Sequence, residues 1–398
     1  MFVATSEGWA DFVALHLAIK EGEPLDAAYP MTGYSTVQLP DFAYFGIRRV
    51  PYSTDPTLNS LSFRHISDAE PLPAVPLGVF AGNPNSEVHN AGEVWASMMF
   101  EAYASMLAQT ELPSPPYDFD EAQRRMADYV VAGMQMAPLD ATFTEARDGV
   151  IAAALAADED DALLIAQAFA ARGAGTCAES PARFSTDFVG VVESDVVTAR
   201  AVVGAVSLSD SVNPCDADGA LDGAEDGVVS VEVRNGGLVD LAGATLTVST
   251  SSGGVFLPDA TVDVPTLAAF ESTIIEVPIS LSESLAGIEL LEFQVAVDAP
   301  TACGGGTSAA AGFLGNVDYP DANSATDTVE HPDSGWAKTG NLANLVWQRE
   351  AETASNHFWH GLNSFQLTDA ALETPDLVVS TTDPLVLTFE HLHEFGGF

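Results

Sequence analysis

The chain has 398 residues, of which 57 are Asp or Glu and 13 are Lys or Arg, giving a formal charge of −44. A field this negative repels phosphate backbones, which proteins grip with clustered cations, so nucleic-acid binding is excluded and an anionic membrane surface is disfavoured. The length suggests two to four domains, and 47% hydrophobic residues are enough apolar material to fold them, which excludes disorder for most of the chain.

No run of about 18 or more apolar residues is present, so no bilayer-spanning helix is expected. Met1 to Leu17 contains Glu7 and Asp11 and lacks a basic start, and it does not read as a signal peptide. Cys177, Cys215 and Cys303 allow at most one internal disulfide. Lysine occurs only at Lys20 and Lys338, a skew that points to a salty or extracellular setting.

From Ser6 to about Gly175 the period is helical: Trp95, Met98, Met99, Ala102, Tyr103 and Met106 recur at steps of three and four, as do Phe143, Ala146, Val150 and Ile151. Between the helices, Val50 to Pro84 is rich in Pro, Ser, Asn and Thr without helical period, and predicts long surface-lying loops of the kind that often bind ligands. After about Asp195, Val229, Val231 and Val233 alternate with polar residues, as do Leu246 and Val248, the period of half-buried strands. Turns are predicted at Asn235-Gly236-Gly237 and Ser251 to Gly254, and a small β-sandwich over about 205–300. Gly304-Gly305-Gly306 reads as a linker. Beyond it come Trp336, Trp347 and Trp359 and strand-like stretches at Leu377–Ser380 and Leu385–Phe389, in a last β-domain that looks incomplete.

Glu7 and Asp11 stand four apart, on one helical face, where two acids repel unless a positive group lies beside them. Read on spacing alone, they are a solvated helix start. His89 follows Asn85 and Glu87 at a loop-to-helix junction, where a histidine is usually a cap or a satisfied polar residue. His357 and His360 are read as packing and hydrogen bonding, and His391 and His393, which share a strand face, have no acid at ligand spacing. The run from Asp216 to Gly227 sets Asp216, Asp218, Asp222, Glu225 and Asp226 among glycines, an oxygen-rich loop suited to Ca²⁺ or to a solvated turn, without EF-hand spacing. Cys215 borders that loop and Cys303 ends the sandwich, so a Cys215–Cys303 bridge is expected, with Cys177 left as the odd thiol.

Five segments occur in order: Glu7 to Phe12, Arg49 to Asp55, Val88 to Met98, Ala141 to Asp148, and Ala168 to Gly175. Together they resemble the C-terminal half of the fungalysin metallopeptidases, a secreted, thermolysin-like zinc family. The resemblance implies a multidomain chain: a mainly α-helical peptidase half-lobe over 1–195, an immunoglobulin-like β-sandwich over 196–303, and an incomplete, jelly-roll-like β-domain over 304–398. It implies that Glu7 matches the third zinc ligand and Asp11 the acid that orients a ligand histidine. His89 matches the histidine that donates to the developing oxyanion, Arg48 an arginine that holds a substrate carbonyl, and Tyr52 a residue lining the same cleft.

The chain departs from the family in one respect. None of its eight histidines begins a His-Glu-x-x-His, so both histidine ligands and the catalytic glutamate are missing. A catalytic zinc needs about three protein ligands and a water. The polypeptide as given is therefore expected neither to hold catalytic zinc tightly nor to cleave peptides. Two readings follow: part of a secreted zinc endopeptidase acting on protein or peptide substrates, or a non-catalytic surface or adhesion protein that keeps a decayed peptidase lobe. If a separate polypeptide supplies the missing helix, this chain should expose the apolar face that the helix would cover.

Overall fold

A computed structural model describes residues 2–214, 219–283, 288–317, 326–332, 335–342, 344–362, 368–375, 386–389 and 391–392. By compactness the chain divides into two units, 1–284 with 290–314, and 285–289 with 315–398. The first opens with helices α1 (Phe2–Ala18), the short α2 (Phe42–Phe45), α3 (Val88–Thr110), α4 (Phe119–Met136), α5 (Phe143–Leu155) and α6 (Glu159–Ala171). Side chains set their starts: Asp118, Thr142 and Asp158 each accept a hydrogen bond from a first-turn N–H of α4, α5 and α6. The predicted periodic residues are buried, Trp95, Met99, Ala102, Tyr103 and Met106 on α3 completely so. Helix α3 is enclosed over most of its circumference and is the axis of the lobe, with Trp95 meeting Trp9, Phe143 and Phe169.

The stretch expected to be surface loops is in part core. Val50, Tyr52, Ser53, Asn59, Leu61, Phe63, His65, Ile66 and Ser67 are all buried, although the chain there is irregular apart from one 3₁₀ turn, Phe63–Ile66. An irregular segment survives burial only if its main-chain polar groups find partners. Arg172 supplies several: its guanidinium donates to the carbonyls of Ser53, Asn59 and Leu61, and its own carbonyl accepts from the Phe63 N–H. Glu93 accepts from the Val50 N–H.

The strands of the first unit are β1 (Ala201–Asn213), β2 (Asp226–Asn235), β3 (Thr245–Thr250), β4 (Val255–Phe256), β5 (Thr261–Asp263), β6 (Ser272–Leu281), β7 (Glu289–Asp298) and β8 (Gly306–Gly315). They form two four-stranded sheets, ordered β1-β2-β6-β4 and β5-β3-β7-β8. The first is antiparallel throughout, with Val231 opposite Val206 on one side and Ile275 on the other. Each sheet has one buried face, because alternate residues point the same way: Val229, Val231, Val233 and Val277 in one, Leu246, Val248, Phe293 and Val295 in the other. Gly304-Gly305-Gly306 is not a linker. Cys303–Gly305 is a 3₁₀ turn whose glycines have positive φ, and Gly306 begins β8.

The disulfide differs from the expected one: Cys303 bonds Cys177, with Cα atoms 5.3 Å apart, and Cys215 lies outside the described residues. The main chain explains the exchange. Gly175 and Thr176 donate to the carbonyls of Ser194 and Val196, while the Cys303 N–H donates to Ala199. Residues 194–199 thus run between the two cysteine segments and draw Cys177 and Cys303 together.

The second unit contains two ribbons formed by β9 (Ala337–Gly340), β10 (Gln348–Thr353), β11 (Asn356–His360) and β12 (Ala370–Glu373), paired as β10-β11 and β9-β12. His357 and His360 are three apart on β11 and therefore on opposite faces, each bonded to its own carboxylate, Glu330 at 2.7 Å and Glu350 at 2.8 Å. The strand-like stretch Leu377–Ser380, Leu385 and His393 lie outside the described residues, and the described part of 386–389 is not strand.

Candidate functional site

Two glycines bring the candidate residues together. At the crossing of α1 and α3, a Cβ on Gly8 would stand 2.4 Å from the Gly92 carbonyl, and one on Gly92 would stand 2.7 Å from the Ala4 carbonyl and 3.0 Å from the Glu7 Cβ. Backbones can approach this closely only where side chains are missing. The crossing sets His89, in the first turn of α3, beside Glu7 in the second turn of α1, with Nε2 to carboxylate oxygen 3.6 Å. Gly92→Ala should push the helices apart, costing about 1–3 kcal/mol in denaturant unfolding. A destabilisation below that range would mean the crossing is slack.

Glu87 caps α3, accepting from the His89 and Asn90 N–H groups, and its other oxygen stands 2.7 Å from His89 Nδ1. Burial would raise the Glu87 carboxyl, but the bonds from the His89 ring and the Asn90 N–H outweigh it and hold it below the usual range. A carboxylate on Nδ1 places a ring proton there when the imidazole is neutral, and turns Nε2 toward Glu7. His89 is half exposed, so Nε2 is accessible. The sequence reading noted Glu87 only as a neighbour; the signal was an acid two residues before a helix-start histidine.

Glu7 and Asp11 are not a solvated helix start: α1 begins at Phe2, so they occupy its interior, and Asp11 is buried. The positive group required is Arg48, whose Nε and Nη2 donate to Asp11 at 2.5 and 2.8 Å. Gly46 at φ 60° positions that arginine, because any Cβ there would overlap the Met31 carbonyl. Arg49, which sequence reasoning passed over, faces the other way: it donates to Glu93, to Asn85 and to the Asn90 carbonyl. Consecutive arginines therefore tie one loop to both helices that carry Glu7 and His89. The signal available was the Arg-Arg pair itself.

Tyr52 does not line an open cleft. It is fully buried, its hydroxyl donates to Asp11 at 2.5 Å, and burial followed by the Asp11 charge pushes its phenol well above the ordinary value. It is a fixed donor that orients Asp11. Burial opposes the charged Arg48, but the Asp11 bond prevails and raises that guanidinium further, and its Nη1 meets no hydrogen-bond partner among the described residues.

The Glu7 carboxylate is 38% exposed and meets no Lys or Arg among the described residues, an arrangement that suits a cation ligand. Yet no group of three His, Cys, Asp or Glu side chains gathers among the described residues. The chain so far offers one carboxylate to a zinc that takes about three protein ligands. The expected calcium loop gives no gathered group either: Glu225 is buried and accepts from the Asp222 N–H, Asp226 accepts from Ser280, and Asp216 and Asp218 lie outside the described residues.

Comparison with known proteins agrees with the helical lobe. The profile of the Fungalysin metallopeptidase (M36) family matches residues 3–178. The chain is 28% identical over 179 residues to an extracellular metalloproteinase of Aspergillus terreus, covering 42% of this chain and 24% of that protein. It is 29% identical over 188 residues to one of Neosartorya fischeri, covering 44% and 26%. It is 30% identical over 166 residues to extracellular metalloproteinase 9 of Coccidioides posadasii, covering 39% and 21%. The chain thus spans about a quarter of the length of these curated relatives. The lobe built on the crossing of α1 and α3 is accordingly a fungalysin-type (M36) metallopeptidase region, corresponding to the C-terminal part of that family.

Proposed function

We propose that this lobe is the C-terminal half of the catalytic region of a secreted zinc metalloendopeptidase acting on protein or peptide substrates. The observation that carries the reading is the exposed Glu7 carboxylate 3.6 Å from His89, whose other nitrogen is held by Glu87. Glu7 would contribute one zinc ligand, with the nitrogen donors supplied by a segment outside these residues. Bound there, zinc would lower the pKa of its water and polarise the scissile carbonyl. The residues present do the rest. As the imidazolium, with its Nδ1–H held by Glu87, His89 would donate its Nε2–H to the oxygen on which charge develops. Arg48 keeps Nη1 for a substrate carbonyl while Asp11 holds its other donors. Asp11 keeps acceptor capacity on Oδ1 for a ligand imidazole N–H.

The surface beside Glu7 supports a missing neighbour. Val3, Ala10, Val13, Ala14 and Leu17 of α1 are exposed and form an apolar stripe along one side of the helix, with Glu7 on its border. A helix bearing the nitrogen ligands would cover that stripe. Secretion is supported by the relatives' description as extracellular, by the Cys177–Cys303 bridge, which persists in oxidising compartments, and by the acidic surface. The alternating burial of the two sheets supports their closing as an immunoglobulin-like sandwich.

The test supplies the missing segment. The chain alone should show no tight zinc in calorimetry and no chelator-sensitive cleavage of casein. Fused behind a fungalysin segment that bears the His-Glu-x-x-His helix, it should gain both. In the fusion, Glu7→Gln should lose zinc by metal analysis, and His89→Phe should keep zinc while losing about 10²–10³ in kcat. Zinc-dependent proteolysis by the chain alone, or full activity in either variant, overturns the proposal.

A further inference from the structure

In a chain with 57 acids and 13 bases, a guanidinium without an oxygen partner is conspicuous. Arg48, Arg49, Arg64, Arg124, Arg125, Arg147, Arg172 and Arg183 all form ion pairs, and Arg349 donates to the carbonyls of Val329 and Glu330. Among the described residues only Arg200 and Arg234 have guanidinium groups that meet no carboxylate or carbonyl. Both line the same groove, about 540 Å³ in volume, between the start of α5 and the beginning of β1 with the end of β2. The two strands are paired there, Val202 opposite Arg234, which sets the arginines side by side. Arg234 is held by the Phe270 ring, 5.8 Å from its guanidinium carbon.

The rest of the wall completes a peptide-like environment. Of the three acids lining the groove, Glu145 is neutralised by Arg183 and Asp148 by Arg147, which leaves Glu179 as the one acid of the lining set against the two free arginines. The hydroxyls of Thr144 and Ser180 face the groove from the α5 side. Val202 adds an apolar contact, and among the described residues β1 is the outer strand of its sheet, with no further strand paired to its other edge. Planar guanidinium forks match carboxylates bidentately, and a free sheet edge accepts an extended chain.

We propose that this groove is a binding site for an extended acidic peptide segment, whose carboxylates are gripped by Arg200 and Arg234. It uses no residue of the Glu7–His89 site and stands or falls independently of the zinc reading. An extended ligand presents alternate side chains to one wall, so acidic residues at every second position fit the arginine side. At long range the charge of −44 repels such a ligand, but at physiological salt that field is screened within about 8 Å, leaving the local pairs to decide.

The probe is a fluorescein-labelled peptide alternating Asp and Val, followed by anisotropy in physiological salt, with an Asn-for-Asp peptide and sodium sulfate as comparisons. The Asp peptide should bind saturably, and Arg200→Gln and Arg234→Gln should each weaken it about tenfold, as loss of one charged hydrogen-bonding partner does. Both arginines lie at the surface, so the variants should melt with the wild type. No binding of the Asp peptide, equal binding of the Asn peptide, or undiminished binding by the double variant overturns the proposal. So does sulfate competing as tightly as the peptide, which would mean a bare anion site.

Discussion

Asp11→Ala should lower the unfolding free energy by about 3–5 kcal/mol, the usual loss when one partner of a buried ion pair is removed. Asp11 and Arg48 are each about 6% exposed, and Tyr52 is wholly enclosed behind them. Without the carboxylate, Arg48 keeps its charge with two of its donors unmatched, and the Tyr52 hydroxyl loses its acceptor. The two penalties share one cause, so they are not additive. Denaturant unfolding of Asp11→Ala, Arg48→Met and Asp11→Leu/Arg48→Met separates them. The double variant removes charge and countercharge together and should recover most of the loss, because an apolar pair of similar volume is often as stable as a buried ion pair. A loss under about 1 kcal/mol for Asp11→Ala would show that water reaches Arg48 and that the pair does not fix the loop.

Breaking the Cys177–Cys303 bridge should cost about 5 kcal/mol, because it closes a span of 126 residues and the chain-entropy gain rises with loop length. Cys303→Ser, or unfolding in reductant, should show this as a lower denaturant midpoint. Cys215→Ser should leave the midpoint unchanged, and mass spectrometry after alkylation without reduction should find Cys215 as the labelled thiol. Protection of Cys215 with labelling of Cys177 would restore the pairing that sequence position suggested. The bridge spans the end of the helical region and the turn before β8, so its loss should unfold the strands more readily than the helices.

The order of helices and then strands was legible because each leaves a period in the sequence. Trp95 to Met106 repeats at helical steps and Val229 to Val233 at strand steps, and in both the repeated residues are the buried ones. Long-range partners leave no such trace. Val50 to Pro84 has the composition of surface loops, but composition cannot reveal that Arg172, more than a hundred residues away, satisfies the carbonyls of Ser53 and Asn59 in its buried part. Cysteine pairing failed for the same reason: proximity in sequence favoured Cys215, while the segment 194–199, bonded to both cysteine neighbourhoods, brought Cys177 instead.

For the site, the resemblance of five ordered segments to the fungalysin metallopeptidases selected Glu7, Asp11, Arg48, Tyr52 and His89, whereas spacing alone reads the first two as a solvated helix start and His89 as a cap. Their roles were decided by the crossing of α1 and α3. Backbone contact at Gly8 and Gly92 places Glu7 against His89 at the surface and turns Asp11, one turn on, into the interior toward Arg48 and Tyr52. Sequence alone determined which chemical groups this protein possesses; only the tertiary structure decided which of them face water and a ligand and which are enclosed to hold the others, because solvation depends on neighbours that spacing along a chain does not specify.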